Sequence, residues 1–298
     1  GGRSGQAVAQ LLVAHGVEVL ISDERQIPPM LPSASITVES GGHTDDVFLS
    51  DFIVKSPGIF PKSAVILQAA ELQISFLPAG VEILAVTGTN GKTTTTTLLG
   101  EILKYHAAQM NKGQQVFVCG NIGNPVSHCI TKAKPGDKLV IEVSSYQLED
   151  SHYFHPHIAG LLNITPDHLD HHEGMKNYVA AKARIFKDQQ PTDVAIINGA
   201  DRVCAQLVEH IKGQVKAFSA QPKHWIKTNV FYDGDALVFS DGSQIRPPRL
   251  RGIHNVENAM AAALMALAAG AQVQGVQAVF DVFEAMEHRI FGKLLPNR

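Results

Sequence analysis

Short apolar runs alternate along the chain with longer segments in which apolar residues recur at helical spacing. An unbroken apolar run predicts a strand buried on both faces, and helical spacing predicts a helix with one buried side. The predicted strands cover residues 17–21, 52–54, 81–85, 116–118, 139–143, 158–164 and 194–197, and the predicted helices cover 6–15, 94–106 and 255–269. Because such alternation is typical of a parallel sheet with helices on both faces, we predict an α/β fold.

The chain is long enough for two domains. The pattern predicts a Rossmann-like unit over residues 1–78, a central parallel-sheet unit over 79–289 and a tail over 290–298. The first unit opens on the glycine-rich turn of residues 1–5, which a strand normally precedes in such folds, so we expect that strand to be absent. Residues 216–251 hold two short apolar runs, each followed by Asp-Gly, and we expect them to form a small antiparallel appendage.

The composition limits the classes of function. Apolar residues make up 45% of the 298 residues, which allows a sizeable core, and the formal net charge is −3 without a Lys/Arg run. This charge pattern argues against nucleic-acid binding. The sequence shows no stretch of bilayer-spanning length and no signal-peptide pattern, so we expect no membrane partner. Three widely separated cysteines favour neither a disulfide framework nor a zinc site, and we expect a soluble, cytoplasmic protein.

The segment 86–93 follows the strand at 81–85 and has the second half of a P-loop pattern, with Val86 where the full pattern has glycine. Glycines let the backbone approach an anion closely, and the following helix N-terminus adds a positive dipole end. Lys92 would reach the terminal phosphates of a nucleotide, and Thr93 would hold magnesium. The alternative is a simple glycine turn between a core strand and a helix.

Three further positions suggest metal and phosphate chemistry. Glu142 interrupts a buried strand, and it is either a magnesium ligand or an acid that bonds to the next loop. The polar, histidine-rich loop that contains Asp167 and His168 follows another strand, and we interpret it as a magnesium site rather than a zinc site. Lys182 lies in an apolar helix, where its ammonium must be paired, chemically altered or extended to solvent.

Two other groups allow both a binding and a structural interpretation. Asn255 and Asn258 are one helical turn apart and could present their amides to an adenine edge, or they could cap the helix. Asp23 ends a strand about twenty residues after a glycine-rich turn, where Rossmann-type sites bind a sugar hydroxyl. The turn at 56–58 also follows a strand. Ordinary loop chemistry would explain Asp23 and this turn equally well.

Several motifs together resemble those of one family. They are CGNIG at 119–123, GTNGKT at 88–93, EVSSYQLE at 142–149, NITPDHLD at 163–170, AKAR at 181–184, GIHNVEN at 252–258 and EHR at 287–289. In order and spacing they resemble the motifs of the Mur ligases of peptidoglycan synthesis. Residues 144–149 and 55–59 are most similar to the branch that adds D-glutamate, whereas other branches typically have histidine in place of Asn90 or of Tyr146.

The resemblance implies an ATP-dependent amide ligase with ATP and Mg²⁺ as cofactors. Its substrates would be UDP-N-acetylmuramoyl-L-alanine, whose carboxylate forms an acyl phosphate, and D-glutamate, whose amine then displaces phosphate. We expect a monomer. The alternatives are a non-catalytic nucleotide-binding remnant of the family or a ligase for another amino acid. A dinucleotide-dependent oxidoreductase would explain Asp23 but would leave the loop at 88–93 without a role.

The resemblance also implies roles for individual residues. The catalytic residues would be Lys92, His168 and Lys182, and the metal ligands would be Thr93, Glu142, His168 and Lys182 as a carbamate. ATP would contact Gly88, Thr89, Asn90, Gly91, Lys92, Thr93, Thr94, Asn255, Asn258, His288 and Arg289. The UDP-sugar substrate would contact Ser4, Asp23, Glu24, Ser56, Gly58, Asn121, Ser144 and Gln147.

The family has a third, C-terminal domain that supplies groups for D-glutamate and ATP. This chain ends ten residues after His288, and the tail at 290–298 does not resemble the expected continuation. We therefore expect the 298-residue chain to bind nucleotide but to catalyse ligation poorly or not at all.

Overall fold

The protein is represented by a computed structural model. It describes residues 3–23, 25–26, 34–42, 44, 78–110, 113–149, 151 and 153–293, with side chains for those between 5 and 283. The predicted strand at 52–54 and the turn at 56–58 lie outside these residues.

The described part of the first unit is a helix and a two-stranded parallel sheet. Helix α1 (Arg3–Ala14) leads to strand β1 (Val19–Asp23), which pairs in parallel with β2 (Ile36–Ser40). The helix buries Val8, Leu11 and Leu12. Strand β2 was not predicted, because its residues are mostly half-buried or exposed and form no apolar run.

A nine-stranded sheet forms the centre of the second unit. Its strands are β3 (Glu82–Thr87), β4 (Val116–Gly120), β5 (Lys138–Glu142), β6 (Ile158–Leu161), β7 (Val194–Asn198), β8 (Gln214–Ser219), β9 (Val230–Tyr232), β10 (Leu237–Phe239) and β11 (Gln244–Ile245). Their order across the sheet is β11-β10-β9-β8-β7-β6-β3-β5-β4. Strands β3 to β9 are parallel, and β10 and β11 are antiparallel. The predicted hairpin is present, and it continues this sheet because β9 pairs with β8.

Helices cover both faces of the sheet, as predicted. They are α2 (Lys92–Met110), α3 (Val126–Ile130), α4 (Ser145–Glu149), α5 (Leu169–His172), α6 (Met175–Ala183), α7 (Arg202–Gln206), α8 (Ile253–Ala268) and α9 (Val273–Lys293), with 3₁₀ turns at Arg184–Phe186 and Val208–His210. Leu84 and Val86 of β3 pack with α2, α8 and α9, whereas Ile83 and Ala85 pack on the opposite side. This alternation explains the unbroken apolar run, since each strand has two buried faces. Among the described residues, no helix is long and apolar enough to cross a membrane.

Strand β6 ends at Leu161, three residues before the predicted end at 164. The next residues pair with the loop after β3 instead. The backbone N–H of Thr89 donates to the carbonyl of Asn163 at 3.0 Å, and the side-chain oxygen of Asn163 accepts the N–H of Asn90 at 2.8 Å. The chain therefore leaves the sheet early to support that loop.

Candidate nucleotide-binding and active site

The candidate site lies at the carboxyl ends of the central strands. Strand β3 lies between β5 and β6, with β4 beyond β5, so the loops after all four strands meet at one edge of the sheet. Ligands of open α/β sheets bind at this edge, where the strand order reverses. The sequence motifs at 88–93, 119–123, 142–149 and 163–170 all lie on these loops.

The loop that joins β3 to α2 requires glycine at its last position. Gly91 has φ +83°, and a Cβ atom added there would lie 2.0 Å from Oδ1 of Asn258. The N–H of Thr95 donates to the carbonyl of Gly91 at 3.0 Å and so starts the α2 hydrogen-bond ladder. The earlier N–H groups of the first turn have no intrahelical acceptor, and they face the loop at the positive end of the helix dipole. This arrangement suits an anion.

The loop is also held from the side by the segment after β6. The side chain of Asn163 donates from Nδ2 to the carbonyl of Asn90 at 3.1 Å, and its Oδ1 accepts the N–H of the same residue. The hydroxyl of Thr89 accepts the N–H of Thr165 at 3.0 Å and lies 3.1 Å from the hydroxyl of Tyr178. These contacts fix the loop conformation in the absence of any ligand contact.

Two lysines converge on the carbonyl of Gly88. Lys92 Nζ donates to the carbonyls of Gly88 and Thr89, both at 2.9 Å, and Lys182 Nζ donates to Gly88 at 2.9 Å. Burial lowers the pKa of Lys92. Burial, followed by the positive charge of Lys92, lowers the pKa of Lys182 to about 7. Lys182 is only 2% exposed, and its Nζ lies 4.7 Å from the ring centre of Tyr178, so the interpretation that it extends to solvent is wrong.

A buried carboxylate lies next to the start of α2. Glu142, which is 1% exposed, accepts hydrogen bonds from the hydroxyl of Thr93 and from Nδ2 of Asn121, each at 2.9 Å. The structure thus joins three predicted site residues from β5, α2 and the loop after β4. A carboxylate beside a hydroxyl offers the hard oxygen donors that Mg²⁺ prefers.

His168 lies on the loop after β6, immediately before α5. It adopts a left-handed conformation with φ 51°, and its Nε2 lies 3.4 Å from a carboxylate oxygen of Asp167. Its side chain is 47% exposed. Among the described residues, no hydrogen bond or ion pair joins His168 to Thr93 or Glu142. The structure therefore places this predicted metal ligand at the same sheet edge but does not bring it into contact with the other two.

The amides at the start of α8 do not cap that helix. Gly252 occupies the N-cap position without a side-chain cap, so the capping interpretation of Asn255 and Asn258 is wrong. Asn258 donates to Asn255 Oδ1 at 3.2 Å, and Asn255 donates to the carbonyl of Arg251 at 2.9 Å. Asn258 is 4% exposed and packs against Gly91. The start of α8 thus lies directly beside the loop at 88–93.

Ser144 and Gln147 begin α4. Gln147 Oε1 accepts hydrogen bonds from the N–H and the hydroxyl of Ser144, both at 3.0 Å, and the N–H of Gln147 donates to that hydroxyl at 3.3 Å. The pair lies directly after Glu142 in the chain and shares its sheet edge with Asn121. Three predicted substrate contacts are therefore close to the candidate metal ligands.

Comparison with known proteins identifies the family. The model of the Mur ligase middle domain matches residues 86–266. The chain belongs to the Mur ligase family. The model of the Mur ligase MurD-like N-terminal domain matches residues 1–77.

Related proteins include the UDP-N-acetylmuramoylalanine–D-glutamate ligases of Elusimicrobium minutum and Desulfosudis oleivorans, which are 51% and 40% identical to this Mur ligase. Each alignment covers 97% of this chain and 66% of the relative, so the chain spans just under two thirds of their length. MurF from Acinetobacter baumannii has a TM-score of 0.54 at 26% identity, over 71% of this chain and 48% of that one. The MPL ligase from Neisseria meningitides has a TM-score of 0.65 at 19% identity, over 94% of both chains, which supports the fold alone.

Several predicted contacts of this Mur ligase lie at the margin of the described residues. Asp23 accepts the N–H of Arg25 at 2.9 Å, a turn contact that an ordinary loop also makes. Glu24, Ser56 and Gly58 lie outside the described residues, as does the side chain of Ser4 in α1. His288 and Arg289 belong to the part of α9 after residue 283, where the structure describes no side chains.

Asn163 is the main residue of this Mur ligase site that sequence reasoning missed. It bonds to Thr89 and Asn90 through both its backbone and its side chain. The available signal was an amide near the end of an apolar run, directly before the polar loop. Such a residue has to find polar partners outside the core.

Proposed function

We propose that this protein is an ATP-dependent amide ligase that adds D-glutamate to UDP-N-acetylmuramoyl-L-alanine. The observation that carries the proposal is the convergence of Lys92 and Lys182 on Gly88, beside the contact between Thr93 and Glu142. Phosphoryl transfer depends mainly on positioning and charge neutralisation, and this set of groups provides both. The two relatives named above are UDP-N-acetylmuramoylalanine–D-glutamate ligases, which supports the choice of substrates.

The phosphates of ATP would bind at the start of α2, with contacts from residues 88–94. The two carbonyls that now accept from Lys92 hold its ammonium beside this helix end, where a phosphate oxygen would replace them. Thr93 and Glu142 fit a magnesium ion, because their oxygen atoms are already 2.9 Å apart and the carboxylate is buried. Bound Mg-ATP supplies the phosphoryl group that activates a carboxylate.

Lys182 would act as a carbamate and would share a second magnesium ion with His168. Its pKa of about 7 leaves much of the amine neutral at neutral pH. The ammonium first loses one proton, and the neutral amine then adds to carbon dioxide and releases a second proton, so a buried cation is replaced by an anion. The carbamate nitrogen keeps one hydrogen, which allows the contact with Gly88 to remain. The ammonium of Lys92, which destabilises a positive Lys182, would stabilise the negative carbamate.

The remaining contacts are those that the family motifs imply. Asn121, Ser144 and Gln147 would hold the muramoyl part of the substrate next to Glu142. The adenine side of ATP would contact Asn255, Asn258, His288 and Arg289, and the uridine diphosphate would contact Ser4, Asp23, Glu24, Ser56 and Gly58. We propose a monomer in the cytoplasm, and the three buried free thiols fit its reducing environment.

Calorimetry with Mg-ATP on the 298-residue chain tests nucleotide binding. We expect binding that weakens about tenfold or more in Lys92→Met, because a charge-assisted contact to phosphate is lost. The exposed Lys176→Met in α6 is the matched control and should bind as the unchanged chain does. Tight NAD binding without Mg-ATP binding would instead support an oxidoreductase.

Phosphate release tests the ligation step. The assay uses a fusion of this chain with the remaining third of the Elusimicrobium minutum relative, supplied with Mg-ATP, UDP-N-acetylmuramoyl-L-alanine and D-glutamate. We expect release that requires both substrates. Release with a different amino acid would assign another branch of the family, and nucleotide binding without any release would indicate a non-catalytic protein.

A further inference from the structure

A second group of potential metal ligands lies at the same sheet edge and has no residue in common with the pair Thr93 and Glu142. One ligand atom each from Glu149, His171 and His172 lies within 4.8 Å of the other two. We propose that these three residues form a binding site for a divalent transition-metal cation of the zinc class. Its ligands come from the last turns of α4 and α5, and it does not depend on the proposed ligase activity.

The orientation of His172 is the first argument. Its side chain is fully buried, and its Nε2 lies 3.0 Å from the hydroxyl of Ser145. Its Nδ1 has no hydrogen-bond partner in the described part of the chain, and the closest approach to Glu149 Oε2, 3.6 Å, is too long for one. The hydroxyl of Ser145 can accept a hydrogen from Nε2, and in that tautomer Nδ1 carries a lone pair 3.6 Å from Glu149 Oε2. Metal-binding histidines are held in this way, by a hydrogen bond from their other ring nitrogen.

The spacing of the ligand atoms is the second argument. His171 Nε2 lies 2.9 Å and His172 Nδ1 lies 3.6 Å from Oε2 of Glu149. Ligand atoms about 2.0–2.1 Å from a tetrahedral zinc ion lie roughly 3.3 Å from one another. The two separations that involve Glu149 bracket that value, and the two histidine nitrogens lie within 4.8 Å of each other, so side-chain movements would accommodate the ion.

The chemistry of the donors selects the cation. Two imidazoles and one carboxylate favour zinc and its transition-metal neighbours over magnesium, which prefers oxygen ligands. Three protein ligands leave a fourth position for water or another small ligand. The ring of Tyr146 lies 4.3 Å from His171 and 5.5 Å from His172 between ring centres, which limits solvent on that side. Glu149 is 33% exposed and leaves a path for the ion.

In a comparable group elsewhere in the described part of the chain, backbone N–H groups already bond to one histidine nitrogen and to the carboxylate oxygen. His155 contacts Asp193 at 2.5 Å and stacks on His157. However, His157 Nδ1 accepts the N–H of Ile83 at 3.1 Å, and the same oxygen of Asp193 accepts the N–H of Gln190 at 2.6 Å. This group therefore provides an internal control that has the same residue types but occupied ligand atoms.

Titration with Zn²⁺ in excess Mg²⁺ tests the proposal, with Co²⁺ absorption as a probe of nitrogen ligation. We expect one Zn²⁺ per chain. His171→Gln and Glu149→Gln should each weaken binding by at least about tenfold, and Ser145→Ala, which removes only the orienting contact, by about 10- to 100-fold. His155→Gln should bind as the unchanged chain does. Circular dichroism establishes that each variant is folded.

Two results would overturn the proposal. The first is an unchanged chain that takes up no stoichiometric Zn²⁺ or Co²⁺. The second is binding that His155→Gln removes while folded His171→Gln and Glu149→Gln retain it. Neither measurement involves ATP or the muramoyl substrate, so failure of the metal site and failure of the ligase proposal are distinguishable.

Discussion

Replacement of Lys182 by methionine should change how stability depends on pH. The side chain is 2% exposed, and burial, together with the nearby Lys92, lowers its pKa from 10.5 to about 7. Methionine keeps most of the apolar stem and carries no charge at any pH. A comparison of the two proteins therefore isolates the titration of this one amine.

The direction of the effect follows from proton binding. In the unfolded chain Lys182 keeps its proton up to about the ordinary value of 10.5, whereas the folded chain releases it from about pH 7. Between these limits the unfolded state binds more protons, so the free energy of unfolding rises with pH by up to about 1.4 kcal/mol per pH unit. Over the whole window the shift corresponds to about 5 kcal/mol, which is an upper limit. At lower pH the folded state carries the full cost of a buried cation.

Chemical denaturation at a series of pH values above 7, in buffers free of carbon dioxide, measures this effect. The unchanged chain should gain stability relative to Lys182→Met as the pH rises, and Lys176→Met should follow the unchanged chain. Added bicarbonate should then stabilise the unchanged chain but not Lys182→Met, because the carbamate forms in the folded state. Parallel stability curves for the unchanged chain and Lys182→Met would refute the reasoning.

Three further substitutions test the phosphate-binding loop. Gly91→Ala places a methyl group against Asn258 at a residue with positive φ. It should lower the free energy of unfolding by about 1–3 kcal/mol and weaken ATP binding. An unchanged midpoint of thermal unfolding would contradict this. Asn163→Ala removes two side-chain hydrogen bonds to Asn90. It should lower the free energy of unfolding by about 1–3 kcal/mol and speed amide hydrogen exchange in the loop at 88–93. Equal exchange rates in both proteins would show that Asn163 does not stabilise the loop. Glu142→Gln removes the anionic metal ligand, so EDTA should weaken ATP binding, measured by calorimetry, less than it does in the unchanged chain. An equal response of both proteins to EDTA would exclude this ligand role.

The elements of the central sheet could be predicted from sequence because burial on both faces leaves a local pattern. Ile83, Leu84, Ala85 and Val86 alternate between two cores, and all four are apolar. The same pattern located the loop at the end of the strand. The loop could be assigned because its glycines and lysine follow that strand directly.

The state of individual side chains could not be predicted, because it depends on partners that are distant in sequence. Lys182 could have extended to solvent, and only its contact with Gly88, 94 positions away, shows that it is buried in the site. Strand β6 ends early because Asn163 bonds to Asn90. That partner is 73 positions away, so no local pattern predicts the contact. Asn258 does not cap α8, because Gly252 occupies the N-cap position, and its amide packs against Gly91 of the loop.

The wide sequence separation of these contacts has a consequence for synthesis of the protein. The phosphate-binding loop leaves the ribosome early, but the hydroxyl of Tyr178 is 89 positions later than its partner Thr89, and the carbonyl of Asn258 is 163 positions later than Thr95. Contacts of this separation form late, since a long segment has to be ordered first. A nascent chain that stops before Asn258 would have the complete loop sequence without the side chain that packs against Gly91. Nucleotide affinity should therefore develop only when α8 has been synthesised and packed, which makes it a measure of completed folding.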